Sequence, residues 1–143
     1  MKRLIALLII PTMLASCQRQ PRTASQTLVA YFDAIAKQDT VATYALSAKQ
    51  RLVYLRPQAK DYFQMCYLYP ASVSVVRETP VIKGTDTMQV VRFIEAVHQR
   101  SGGGLVDSCM IDCQMVRENG EWKVLECLSP PVERYNPKGG NPT

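Results

Sequence analysis

The chain is poor in the residues that most often carry metal or nucleic-acid chemistry. His98 is its one histidine and Trp122 its one tryptophan, so a histidine-built metal centre is excluded from this chain alone. Net charge is small: 17 basic against 12 acidic residues, or +5. Without residues 1–16, 15 basic and 12 acidic residues remain, or +3, too little to argue for a nucleic-acid partner. A weakly basic surface suits the neighbourhood of anionic lipid instead. The apolar run Leu4 to Ile10 falls short of the roughly 20 residues that a helix needs to cross a bilayer. Internal repeats, low-complexity segments and Gly-x-Ser-x-Gly nucleophile elbows are lacking, and no residue pattern points to a cofactor. What is present is ordinary globular material. The 143 residues suffice for one domain, with 47% apolar residues for a core and 20% charged residues to cover it.

The N-terminus is organised. Lys2 and Arg3 precede the apolar run, Pro11 and Thr12 interrupt it, and small residues follow. This order predicts a secretory signal peptide over residues 1–16. Leu14, Ala15, Ser16 and Cys17 resemble a bacterial lipobox: an aliphatic residue, two small residues, then cysteine. Small side chains let a peptidase approach the backbone, and a thiol forms the thioether. The resemblance implies an acylated Cys17 as the mature N-terminus, held in membrane lipid, since each buried CH₂ of an acyl chain contributes about 0.8 kcal/mol. Gln18 follows where an Asp would mark inner-membrane retention, so the outer membrane, facing the periplasm, is the expected location. Residues 17–22 then form the lipidated cysteine and a polar tether.

Hydrophobic spacing lays out a single domain over residues 23–129. Thr23 with Gln26 predicts a capping box opening a helix near 24–37, with Leu28, Val29, Phe32, Ile35 and Ala36 on its apolar face. Asp39 or Thr40 caps a second helix that carries Val41, Tyr44, Ala45, Ala48 and Leu52 along one side. Arg56-Pro57 starts a third, which ends at Pro70, with Ala59, Tyr62, Phe63, Cys66 and Tyr67 on its apolar side. The period then changes. A strand over 71–78 ends at turn material, Thr79-Pro80 and Lys83 to Asp86. Strands follow at 87–99, 105–117 and 121–128, separated by a glycine-rich turn and by Asn119-Gly120, a strong hairpin signal. Residues 130–143 are rich in Pro and Gly and are expected to form a flexible tail. Helices first and strands after predict an α+β fold, with N-terminal helices on one face of a curved antiparallel sheet of about four strands.

Two stretches carry a resemblance. "LVAYFDAIAKQDTVATYALSA", residues 28–48, and "VRENGEWKVLEC", residues 116–127, together with the element order, resemble the nuclear transport factor two-like, cone-shaped cystatin-like domains found in many small bacterial lipoproteins. That resemblance implies a cavity between helices and sheet. In ketosteroid isomerase-like members such a cavity carries an Asp or Tyr pair.

Glu95 and Asp112 are the candidate acid/base carboxylates, because each lies inside a predicted strand among apolar residues, and a carboxyl in an apolar cavity can exchange protons near neutrality. Solvent exposure, or pairing with Arg92 or Arg117, is the competing expectation. His98, near a strand end beside Gln99 and Arg100, reads as a rim residue. Tyr62, Tyr67 and Tyr69 with Phe63 read as core or as a cavity lid.

Cys66, Cys109, Cys113 and Cys127 are disulfide candidates in an oxidising compartment. Along a strand, Cys109 and Cys113 stand about 13 Å apart at ~3.3 Å per residue, too far for a bridge, which needs Cα atoms within about 7 Å. Two pairings stay open: Cys66–Cys109 with Cys113–Cys127, or Cys66–Cys113 with Cys109–Cys127. A two-residue turn at Asn119-Gly120 would set Cys127 opposite Asp112. A three-residue turn with a bulge would set it opposite Ile111, diagonal to both strand cysteines. One bridge from Cys66 to the sheet fits either register. Free thiols, or a thiolate metal or redox site, are the alternatives. The functional expectation is a non-enzymatic envelope binding or assembly module, whose partner is an envelope protein or a small apolar ligand. A cavity enzyme using Glu95 or Asp112, and a structural or secretion-accessory role, stand as alternatives.

Overall fold

The computed structural model describes residues 20–83 and 86–128. The lipobox with Cys17, the signal segment and the tail after 128 lie outside these residues. The fold is α+β, as expected. Helices α1 (Ala24–Ala36), α2 (Thr40–Leu46), α3 (Lys49–Leu55) and α4 (Ala59–Leu68) precede strands β1 (Ala71–Lys83), β2 (Asp86–His98), β3 (Leu105–Glu118) and β4 (Glu121–Leu128). The strands form one antiparallel meander in the order β1-β2-β3-β4. No described helix is long and apolar enough to cross a membrane.

The expected capping box is present: Gln26 N–H donates to the Thr23 hydroxyl (3.2 Å), and Thr23 N–H donates to the Gln26 side chain (3.0 Å). The buried face of α1 is Ala24, Thr27, Leu28, Tyr31, Ala34 and Ile35, rotated from the one expected. Val29 is exposed and Phe32 only partly buried. Tyr31 can take the central position, fully buried, because Arg51 Nε donates to its hydroxyl at 2.9 Å. The helix closes in a Schellman motif, with Asp39 N–H donating to Ala34 O (2.9 Å) and Gln38 N–H to Ile35 O (2.9 Å). Gln38 holds the left-handed position at φ 57°. Asp39 then caps α2, accepting from Ala42 N–H at 2.9 Å.

The expected single second helix is instead two. At Ser47-Ala48 the chain leaves helical geometry and bridges β4: Ala48 N–H donates to Val124 O at 2.8 Å. Pairing with an otherwise open strand edge satisfies backbone groups that a continuous helix would have paired internally. The consequence is a new set of faces, with Val41 78% exposed and Ala48 fully buried. Pro57 falls in a 3₁₀ turn, Arg56–Gln58, that leads into α4.

β1 runs through Thr79-Pro80, where a turn was expected; Pro80 pairs with Gln89. Proline lacks the N–H for a ladder, but β1 lies at the sheet edge, where one side makes no strand pair. Bulges at Val76 in β1, near Val106 in β3 and at Leu125 in β4 shift register and bend the strands they interrupt. The predicted Asn119-Gly120 hairpin is present, both residues at positive φ (53° and 80°), the requirement of a two-residue type I′ turn. The core lies between α1 and α4 and the covered sheet face: Leu28, Tyr31 and Ile35 of α1 and Phe63 of α4 cluster with Val91, Phe93, Cys113, Met115 and Val124.

Candidate functional site

Cross-strand partners share a sheet face, so register decides what each candidate residue can do. On the covered face, Glu95 sits directly opposite Cys109, beyond Phe93 and Ile111. Glu95 is half-buried, and the Cys109 thiol donates to its Oε2 at 3.9 Å. Burial pushes the Glu95 carboxyl above the ordinary 4.5; the Cys109 hydrogen bond opposes that rise and nearby Asp107 adds to it. Burial likewise raises the Cys109 thiol, and the negative charges of Glu95 and Asp107 raise it further.

Helix α4 brings a second set of groups over this face. Tyr62, Phe63 and Cys66 pack on the core or belong to it. Cys66 is raised first by burial, lowered by a hydrogen bond from Tyr62 and raised by the Glu95 charge. Tyr62 hydrogen-bonds Tyr31, and burial drives its hydroxyl well above the ordinary tyrosine value. A polar line therefore runs Arg51–Tyr31–Tyr62–Cys66 towards the Glu95–Cys109 pair. Apart from Tyr62 and Cys66, one turn apart on α4, these links were not legible from spacing along the chain, because they join α1, α3, α4, β2 and β3.

The other candidates stand elsewhere. Asp112 faces the uncovered side of the sheet, where Arg92 holds it with two hydrogen bonds (2.6 and 2.7 Å). The Arg92 guanidinium keeps this carboxyl below its ordinary 3.8, the direction opposite to that wanted in a neutral-pH base. His98 is a rim residue beside the Ser72 hydroxyl (3.5 Å). The expected aromatic group divides: Tyr62 and Phe63 meet edge-on at 5.9 Å, whereas Tyr67 and Tyr69 are exposed and Tyr67 lies under the Arg100 guanidinium at 3.8 Å.

The cysteine pairing is settled in part. Cys113 and Cys127 form a disulfide, with Cα atoms 3.9 Å apart; Cys66 and Cys109 are free thiols. Both registers expected for Cys127 are corrected. The turn has two residues, which alone would place Cys127 opposite Asp112. The bulge at Leu125 adds one residue to β4 and slides Cys127 opposite Cys113. No bridge ties Cys66 to the sheet. Among the described residues no group of three or more metal-ligating side chains is assembled.

Two open grooves flank the α2–α3 connection. One, of about 490 Å³, is lined by Gln20, Arg22, Trp122 and Lys123 among others; Lys123 Nζ there donates to Ala45 O (2.6 Å) and Glu121 (2.7 Å). The other, of about 910 Å³, lies between α3 residues Gln50, Arg51 and Tyr54 and the ends of β2–β4.

The Glu95 placement predicts a pH dependence. A carboxyl raised on folding opposes folding once it ionises, so the cost starts near the ordinary value of 4.5, grows as pH rises and levels off above the folded value. Glu95→Gln is expected to raise the urea midpoint at pH 7, with the gain shrinking to nothing at pH 4 and below. A variant less stable than the parent at pH 7 would contradict the half-buried placement.

No family model matches the chain, and no curated protein matches it. Among solved structures, the chain is similar to the solution structure of a SEC-C motif containing protein from Rhodopseudomonas palustris. The TM-score is 0.59 at 17% identity, over 76% of this chain and 81% of that one. At that identity the likeness concerns architecture: this chain is an α+β domain of helices on a four-stranded antiparallel sheet.

Proposed function

We propose that this chain is a membrane-anchored bacterial envelope lipoprotein whose small α+β domain acts as a binding or assembly module. The stretch Leu14-Ala15-Ser16-Cys17, behind a basic start and a short apolar run, carries the reading. Residues 18–22 alone separate Cys17 from the N-cap of α1 at Thr23, so the domain would work close to the lipid surface, at the periplasmic side of the outer membrane. Element order and the hairpin around Trp122 support a place among the nuclear transport factor two-like lipoproteins. The sheet face away from the helices, where Ile94, Met110 and Leu128 are exposed around the Arg92–Asp112 pair, suits an envelope protein partner. A small apolar ligand or a secretion-accessory role would use the same surfaces.

Cys17→Ser is expected to leave the domain folded while abolishing both cleavage and lipidation, read by intact mass. A wild-type mass showing cleavage elsewhere with no acyl addition sinks the anchor. Cross-linking in the native envelope, followed by identification of the attached protein, tests the module.

A second reading is a cavity enzyme with Glu95 as the proton-transfer group, favoured by its half-buried place on the helix side and its raised carboxyl. Asp112, ionised by Arg92 on the open face, does not serve that reading.

A further inference from the structure

We infer that Cys66 and Cys109 are a reversible thiol–disulfide site that closes a second bridge, from α4 to β3, and that Glu95 restrains its closure. The site takes a disulfide, small-molecule or protein, as its co-reactant. It does not depend on lipidation.

Four observations carry it. Pairing of Cys113 with Cys127 leaves Cys66 and Cys109 as the two free thiols of the described residues. Both lie on the helix side of the sheet: Cys109 is opposite Glu95 in the covered-face register, and Cys66 packs on the core from α4. The C-terminal end of α4 is tied to the adjoining end of β2, because Arg100 N–H donates to Leu68 O (3.0 Å) and His98 N–H to Pro70 O (3.0 Å). Glu95 lies three residues before His98 and Cys66 four before Pro70, so both stand a short way from that one tie, and Cys66 feels the Glu95 charge. Finally, Phe63 is the one α4 residue within the buried core, and Ala59, Tyr62 and Cys66 pack against that core beside it. Closure brings the Cα atoms of Cys66 and Cys109 to within the roughly 7 Å that a bridge needs.

The chemistry balances with the named co-reactant. Cys109 releases its proton to solvent, and the thiolate attacks one sulfur of the incoming disulfide. A mixed disulfide forms and one thiolate leaves, taking up a proton. Cys66 then releases its proton, attacks the Cys109 sulfur and expels the second thiolate. Two protein thiols become one disulfide, and the co-reactant is reduced to two thiols. Glu95 acts against the first step. Its carboxylate accepts from the protonated Cys109 thiol, and its charge disfavours a thiolate at either cysteine. Asp107 adds to that at Cys109, while the Tyr62 hydroxyl favours the Cys66 thiolate.

The test uses the full chain carrying Cys17→Ser, purified in mild detergent and equilibrated with oxidised glutathione. Before oxidation, trypsin without reduction should yield two joined peptides, 101–117 and 124–134. Afterwards, peptide 61–77 should join them. Cleavage before Asp112 separates Cys109 from Cys113 and should assign the new link to Cys109. Cys66→Ser should halt at a glutathione adduct on Cys109. Glu95→Gln keeps both thiols and should speed bridge formation at pH 7 severalfold, since the gain in thiolate is only partly offset by its lower nucleophilicity. Two separate glutathione adducts, or two thiols that stay free, in the parent overturn the site. An unchanged or slower rate in Glu95→Gln overturns the restraint.

Discussion

Phe93→Ala is expected to cost about 3–5 kcal/mol, the largest loss of any single substitution considered, because a buried phenyl removed from a packed core leaves a cavity that its neighbours only partly fill. Phe93 is fully buried at the centre of β2. Its ring meets Phe32 of α1 edge-on at 5.4 Å, and its cross-strand neighbours are Ile111 and Val75. It joins the helix layer to the sheet, so truncation loosens both. The adjoining Ile94 is 39% exposed on the opposite face, and Ile94→Ala should cost under about 1 kcal/mol, as expected for a partly exposed site. Urea unfolding of the two variants measures the contrast directly. Equal losses would mean that the two faces of β2 are wrongly assigned.

Cys113→Ala with Cys127→Ala is expected to cost roughly 3 kcal/mol. The bridge closes a segment with a sequence separation of 14, and a loop of that size loses about this much unfolded-chain freedom when cross-linked. Loss of the buried Cys113 sulfur from the core adds to the effect. A smaller shift, that of the bridge alone, should follow when the wild type is unfolded in reductant, which separates the bridge from the packing. If reductant and double variant both leave the urea midpoint in place, the hairpin is not bridged at Cys113 and Cys127.

These two expectations differ in how far the sequence alone supported them. The α+β class was legible, because the change from a helical to an alternating period near Pro70 is a local property of the chain. The Thr23–Gln26 capping box and the Asn119-Gly120 turn were legible for the same reason: each involves residues within three positions of one another. The central place of Phe93 was implied by its strand but not ranked above its neighbours. Tyr31 was passed over, since its burial depends on an arginine twenty positions away on another helix.

The cysteine pairing shows the limit most clearly. Sequence spacing excluded a Cys109–Cys113 bridge and left two pairings. The deciding element is the extra residue at Leu125, which reversed which β4 side chains face the core. A bulge is a compromise between strand pairing and packing across the whole sheet, so short-range patterning does not announce it. The break at Ser47-Ala48 has the same origin: a competing partner, the β4 edge at Val124, far along the chain.

By itself, then, the sequence determined what is local: the lipobox-like leader as an expectation, the helix caps, the hairpin turn, and the order of helices before strands. The tertiary structure decided what depends on partners distant in the chain. It placed Asp112 on the open face with Arg92, set Glu95 beside the free thiol of Cys109, and slid Cys127 into line with Cys113. The physical reason is common to all three. A side chain's burial, charge state and bonding are set by its neighbours in space, and in a four-stranded meander a shift of one residue in register exchanges all of those neighbours.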